Sequence, residues 1–124
     1  MAMQNLKELR MFRRAILRKE QIYVGPTILN KHHGDGVLAW DNNVYVGPFQ
    51  WGKKHGHANQ IQRWGEVFIS TFVGEFKDDK IDTGTSIIKR NNIVLSIYTG
   101  TWQNNQRNKG NYKFSNNNNK WYQK

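Results

Sequence analysis

Two tetrapeptides set the reading of this chain: Tyr23-Val24-Gly25-Pro26 returns, 22 residues on, as Tyr45-Val46-Gly47-Pro48. Each runs into a Lys-x-His-Gly ending, Lys31 to Gly34 and Lys53 to Gly56. Self-similarity at this period marks a stacked array of one small supersecondary unit, which buries its apolar face against its neighbours. By the two-residue period of a strand, Tyr23, Gly25 and Thr27 share one face, and so do Tyr45, Gly47 and Phe49. The polar stretches 30–34 and 51–56 are expected to reverse the chain. A second strand then follows each bend, over 35–40 and 57–64, and Asp41-Asn42-Asn43 leads from the first copy to the second.

Read against this template, two worn copies follow: Phe72-Val73-Gly74-Glu75-Phe76 and Tyr98-Thr99-Gly100-Thr101-Trp102. The spacing widens to 27 and then 26 residues (45 to 72 to 98), so 65–71 and 90–97 are expected to be longer connections or extended strands. A start at Phe68 is an alternative register for the third copy; Phe72 is preferred because it restores the third-position glycine. Counted from the first ring to the closing glycine, the units with bends at 77–82 and 103–108 are one residue shorter (72 to 84 and 98 to 110, against 23 to 36), and only Gly84 and Gly110 survive of the paired glycines. The candidate repeat core is therefore Tyr23, Gly25, Tyr45, Gly47, Phe49, Phe72, Gly74, Phe76, Tyr98, Gly100 and Trp102.

Ahead of the array, Leu6, Leu9, Phe12 and Ile16 recur at steps of three and four without an interrupting Gly or Pro, which predicts an amphipathic helix over 3–22. Arg10, Arg14 and Arg18 line another face. The helix is expected to lay its apolar stripe over the rest of the protein, with docking on a partner, contact with lipid or mitochondrial import as the other uses of a basic amphipathic segment. Glu8 and Glu20 count against import. The chain thus divides into a basic helix (1–21), a β-array (22–115) and an Asn-rich tail (116–124) whose Trp121-Tyr122 could form a last edge strand or cover the end of the sheet.

Charge and chemistry narrow the function classes. A formal net charge of +10 implies an acidic partner: a protein face, an anionic lipid surface or nucleic acid. The chain has no cysteine, so no thiolate metal site, disulfide or cysteine nucleophile is available. His32, His33, His55 and His57 invite a metal reading, yet His33 and His55 sit at equivalent bend positions that the repeat itself explains. No nucleophile stands at a recognisable spacing from a base, and Gly34-Asp35-Gly36 lacks the strand-to-helix context of a nucleotide loop. Asp78, Asp79 and Asp82 are read as a polar hairpin tip. Nucleic-acid binding has the right composition, but the rings recur where the repeat needs them for its own packing.

The pattern resembles the MORN repeat family, whose unit opens with aromatic-x-Gly-x-aromatic, turns through an Asn/Gly/Lys/His bend and continues Gly-x-Gly into a second strand. Tyr23, Gly25, Asn30, Lys31, His33, Gly34 and Gly36 match in the first copy, with Thr27 in place of an aromatic. Tyr45, Gly47, Phe49, Gly52, Lys53, His55 and Gly56 match in the second, with Ala58 in place of the last glycine. The resemblance covers about residues 22–115. It implies a mainly β fold in which tandem hairpins join one elongated, twisted antiparallel sheet, here preceded by the amphipathic helix. It further implies a non-catalytic scaffold subunit, without cofactor or metal, that binds other protein subunits of a cilium, an axoneme or another cytoskeletal complex. A mitochondrial complex is the alternative setting, and anionic phospholipid the alternative partner. Partner-binding candidates are Arg10, Arg13, Arg14, Arg18, Lys19, Trp64, Trp121 and Tyr122.

Overall fold

The structure, a computed structural model, describes Arg10, Arg13 and residues 20–115 and 121–123. Over residues 20–115 and 121–123 the elements are all strands: β1 (Ile22–Val24), β2 (Thr27–Ile28), β3 (Lys31–His32), β4 (Gly34–Trp40), β5 (Asn43–Gln50), β6 (Lys53–Lys54), β7 (Gly56–Trp64), β8 (Phe68–Lys77), β9 (Lys80–Arg90), β10 (Ile93–Gln103), β11 (Gln106–Ser115) and β12 (Trp121–Gln123). Ten belong to one antiparallel sheet in the order β1-β4-β5-β7-β8-β9-β10-β11-β12, with β6 beside β5, and β2 pairs with β3 in a separate two-stranded sheet. From β7 to β11 each strand pairs with the next in sequence, as a run of hairpins must.

The turns follow from Asn, Asp and Gly. Two-residue hairpin turns that match the right-handed strand twist need positive φ at both central residues, which short polar side chains and glycine tolerate best. Asp78-Asp79 (φ 49°, 71°), Asn91-Asn92 (49°, 66°) and Asn104-Asn105 (54°, 62°) all meet this requirement. Leu29-Asn30 (52°, 63°) and Trp51-Gly52 (51°, 86°) adopt the same shape with a bulky first residue. At Trp51 the cost is offset by tethers to the preceding copy: its N–H donates to His33 Nδ1 at 3.2 Å, and the Gly52 N–H to the His32 carbonyl at 2.8 Å.

The core is a ladder of rings on one face. Within a copy the first ring meets the ring four residues on: Tyr45–Phe49 at 4.9 Å, Phe72–Phe76 at 5.4 Å and Tyr98–Trp102 at 4.8 Å. Between copies the first ring meets the second ring of the following copy: Tyr23–Phe49 at 5.4 Å, Tyr45–Phe76 at 5.0 Å and Phe72–Trp102 at 5.1 Å. All six are edge-to-face, the geometry that a ring quadrupole favours. Third-position glycine makes the ladder possible. A Cβ on Gly47 would run into the Ala58 side chain and stand 3.2 Å from the Tyr45 hydroxyl, while one on Gly74 or Gly84 would meet Phe72 Cζ at 2.8 Å. Gly36↔Gly47, Ala58↔Gly74, Gly74↔Gly84 and Gly100↔Gly84 and Gly110 are cross-strand partners, so small residues form a continuous furrow under the rings.

The other face is β-branched. Ala39 and Val44 are fully buried there, with Ile22, Val24, Val37 and Val46 packed around them.

Some expectations hold and others are corrected. The bends at 30–34, 51–56, 77–82 and 103–108 contract to two-residue turns, and their flanks become strands, including β2, β3 and β6. Residues 65–71 are a short turn (65–67) leading into β8, and 90–97 contain a hairpin turn at 91–92. Thr27 does not continue the Tyr23 strand: β1 ends before Gly25-Pro26, and His32 stacks on Tyr23 at 3.6 Å and 9°, beside the missing fifth-position ring. Phe72 rather than Phe68 enters the ladder, being 5% exposed against 36%. Trp121-Tyr122 pair as an edge strand, opposite Ser115 and Phe114. The expected helix over 3–22 lies outside the described residues apart from Arg10, Arg13 and residues 20–22; both arginines are exposed, and Ile22 belongs to β1.

Candidate partner-binding surface

In the three copies that open on tyrosine, the first ring is fixed by a bond that its sequence position dictates. A tyrosine reaching across the third-position glycine brings its hydroxyl to the carbonyl three residues on: Tyr23 donates to Pro26 O (2.7 Å), Tyr45 to Pro48 O (2.6 Å) and Tyr98 to Thr101 O (2.9 Å). Burial holds the Tyr45 hydroxyl well above the usual tyrosine range, and raises that of Tyr23 to a lesser degree. Ring positions of the repeat are therefore committed to packing.

The residues nine positions on from the first rings lie against the ring ladder and serve as its cover. These are His32, Lys54, Ile81 and Arg107, and they differ in every copy. His32 stacks on Tyr23, Lys54 Nζ lies 5.4 Å from the Tyr45 ring centroid, Ile81 packs against the cluster around Phe72, and the Arg107 guanidinium lies 5.1 Å from the rings of both Tyr98 and Tyr112. Burial lowers the pKa of His32. Lys54 falls to about 8, again chiefly through burial, against the smaller opposing pull of Asp79.

Exposed apolar groups gather elsewhere. Trp64 pairs across strands with Phe68, Phe68 with Arg90, and Arg90 with Ile93, so the four form one row over β7 to β10 on the ladder face, at the end of the sheet that carries turns 65–67 and 91–92. Trp64, Phe68 and Ile93 are 45%, 36% and 55% exposed, and the Arg90 guanidinium stands 5.7 Å from the Phe68 ring. At the opposite end Leu29 and Trp51 project from their turns, 83% and 51% exposed. Large apolar side chains clustered at a surface mark contact sites more often than isolated ones do.

Charge is divided as sharply. From residue 83 onward there is no Asp or Glu among 42 residues, and seven are Lys or Arg. Between 22 and 82 seven acids face six bases. The positive end of the array therefore begins within β9, and the apolar row reaches into it through Arg90 and Ile93.

Of the sequence candidates, Trp64 stands in this row. Arg10 and Arg13 are exposed, Trp121 and Tyr122 lie on the edge strand β12, and Arg14, Arg18 and Lys19 lie outside the described residues. Phe68, Arg90 and Ile93 were not marked by the repeat; Phe68 could have been, as the aromatic that the register of the third copy leaves over. The histidines do separate work. Nδ1 of His33 accepts from Trp51, His32 stacks on Tyr23, and exposed His57 lies 3.8 Å from Glu75, while the backbones of His33 and His55 donate alike to Pro26 and Pro48. Among the described residues no group of three or more His, Asp or Glu is placed to hold a metal ion.

No protein-family model matches the chain, and no curated protein matches it.

Proposed function

We propose that this protein is a non-catalytic scaffold subunit of the MORN-repeat type, which binds other protein subunits of a larger assembly. The observation that carries the reading is the Trp64–Phe68–Arg90–Ile93 row, an apolar strip with a basic flank beside an acid-free third of the chain. A large exposed aromatic pair around an arginine is the composition of an interface anchor, and the surrounding charge suits an acidic partner face. Residues of the ring ladder are occupied with one another, which leaves the ends of the array for recognition.

The expected N-terminal helix fits the same reading. Its stripe of Leu6, Leu9, Phe12 and Ile16 offers the cover that the β-branched face around Ala39 and Val44 calls for, and leaves Arg10, Arg14 and Arg18 to a partner. A cilium, an axoneme or another cytoskeletal complex is the setting we favour, with a mitochondrial complex as the second.

Affinity capture of the tagged full chain tests the proposal. Stoichiometric protein partners should persist at raised salt, be lost with the double variant Trp64→Ser/Phe68→Ser, and change in identity when residues 1–21 are removed. Salt-sensitive sedimentation with anionic vesicles in place of any protein partner would replace this reading with a peripheral lipid-binding one, and retention on RNA or DNA alone with a nucleic-acid one.

A further inference from the structure

The cover position of the second copy holds more than packing requires. In the third copy the same position is Ile81, an uncharged side chain packed against the ring cluster, whereas the second copy half-buries a lysine. Lys54 Nζ lies 4.0 Å from the centre of the Trp40 ring, 5.4 Å from that of Tyr45 and 5.8 Å from that of Phe76. An ammonium has three N–H donors. The hydrogen bond that the described residues give this one goes to a neutral acceptor, Gln60 Oε1 at 3.1 Å. The acid nearest in the fold, Asp79, spends Oδ1 on the backbone N–H of Lys54 at 2.8 Å, and its own N–H on the Lys54 carbonyl at 3.0 Å.

Beside this amine opens a cavity of about 310 Å3, lined by His32, Leu38, Trp40, Phe49, Lys54 and Asp79 among others. Its walls combine the rings of His32 and Trp40 and the Leu38 side chain with the polar groups of Gln21 and Asp79, and its cation has donors to spare. Cationic guests are repelled by Lys54. His32, kept neutral by burial, adds a flat ring and no charge at neutral pH. The carboxylate of Asp79 at the same cavity disfavours polyanions. What remains is a flat monoanion that can exchange water for ring contacts and accept hydrogen bonds from Nζ.

We propose that this cavity binds small aromatic carboxylates, with the ring against Trp40 and His32 and the carboxylate on the Lys54 ammonium. The site is independent of the protein-binding row, since Trp64, Phe68, Arg90 and Ile93 do not line it.

Titration of the full-length protein with benzoate, benzamide and benzylamine, followed by the indole and Lys54 amide resonances in NMR, tests the assignment. Benzoate should bind at least about tenfold more tightly than benzamide, with benzylamine weakest, and Lys54→Met should remove the difference while Lys54→Arg keeps part of it. Because Lys54→Met removes a buried charge and keeps the aliphatic stem, it should fold, which a melting curve on the same sample checks. Equal affinity for benzoate and benzamide, no response to benzoate up to its solubility, or benzoate binding unchanged in Lys54→Met would each overturn the proposal.

Discussion

The two halves of the array, residues 22–64 and 68–115, share a ring ladder and a glycine furrow but differ in their bends and their charge. In the first half the bend has one residue more than in the second, which gives it the side strands β2, β3 and β6 and the turn-to-turn bond from Gly52 to His32; the Asp79-to-Lys54 bond then ties it to the second half. In the second half the shorter bends are taken up by irregularities in pairing, between Glu75 and Phe76 and between Gly100 and Trp102. Where the ladder runs, the copies vary by exchange of one ring for another, apart from Thr27 in the first. Where it does not, at the cover position, the bends and the sheet ends, the copies diverge, and there the surface features of the molecule are found.

The sharpest way to break the comparison is at the first ring. Tyr45 is fully buried between rings of its own and the next copy, whereas Tyr98 belongs to the last copy and has Arg107 as its cover. Chemical unfolding should show Tyr45→Ala costing about 4 kcal/mol and Tyr98→Ala about 3 kcal/mol. Equal or reversed losses would mean that the halves do not differ in packing.

The furrow, by contrast, should behave alike in both halves. An added methyl at Gly47 meets Ala58, and at Gly100 it meets the Lys109 carbonyl and the Gly110 backbone. Gly47→Ala and Gly100→Ala are each expected to cost about 2 kcal/mol, read as a fall in the denaturant midpoint. A neutral result at either would show that its strand pair can open to admit a Cβ.

The pH dependence of stability separates the two cover cations. Lys54, lowered from 10.5 to about 8, sheds its proton in the folded state while the unfolded chain keeps it, so stability should rise by on the order of 1–2 kcal/mol between pH 8 and 10. Above pH 10 the sign reverses, because buried Tyr45 stays protonated where the unfolded tyrosine ionises. Lys54→Met should flatten the rise, whereas Arg107→Met in the other half should leave it intact. A rise that survives in Lys54→Met would place its origin elsewhere.

Smallest in stability is the effect expected at the exposed row. Trp64→Ser/Phe68→Ser should change the unfolding free energy by no more than about 0.5 kcal/mol per site while abolishing partner capture. A large loss of stability would mark the row as core rather than interface.

Much of this was legible in the residues. The third-position glycines and the ring spacing fixed the strands that carry the ladder, and the preference for Phe72 over Phe68 held because only that register keeps Gly74 under the rings. The bends were drawn too wide. Asn, Asp and Gly mark where a chain can turn, but strand pairing up to the two central residues is set by backbone hydrogen bonds, which leave little trace in residue type. The row of Trp64, Phe68, Arg90 and Ile93 was hidden for a related reason: its members lie on four strands and are joined only by cross-strand register. Lys54 was hidden as well, since a lysine in a Lys-x-His-Gly bend reads as solvated until the ladder is built beneath it.

The central claim is that the array serves as one piece of a larger protein assembly. The native mass of the particle that carries this 14.6 kDa chain in the cells that make it, measured at raised salt, tests this most directly. A discrete particle several times that mass, with the chain in fixed stoichiometry to other proteins, is the predicted result. A free 14.6 kDa species, with no protein partner retained, would contradict it.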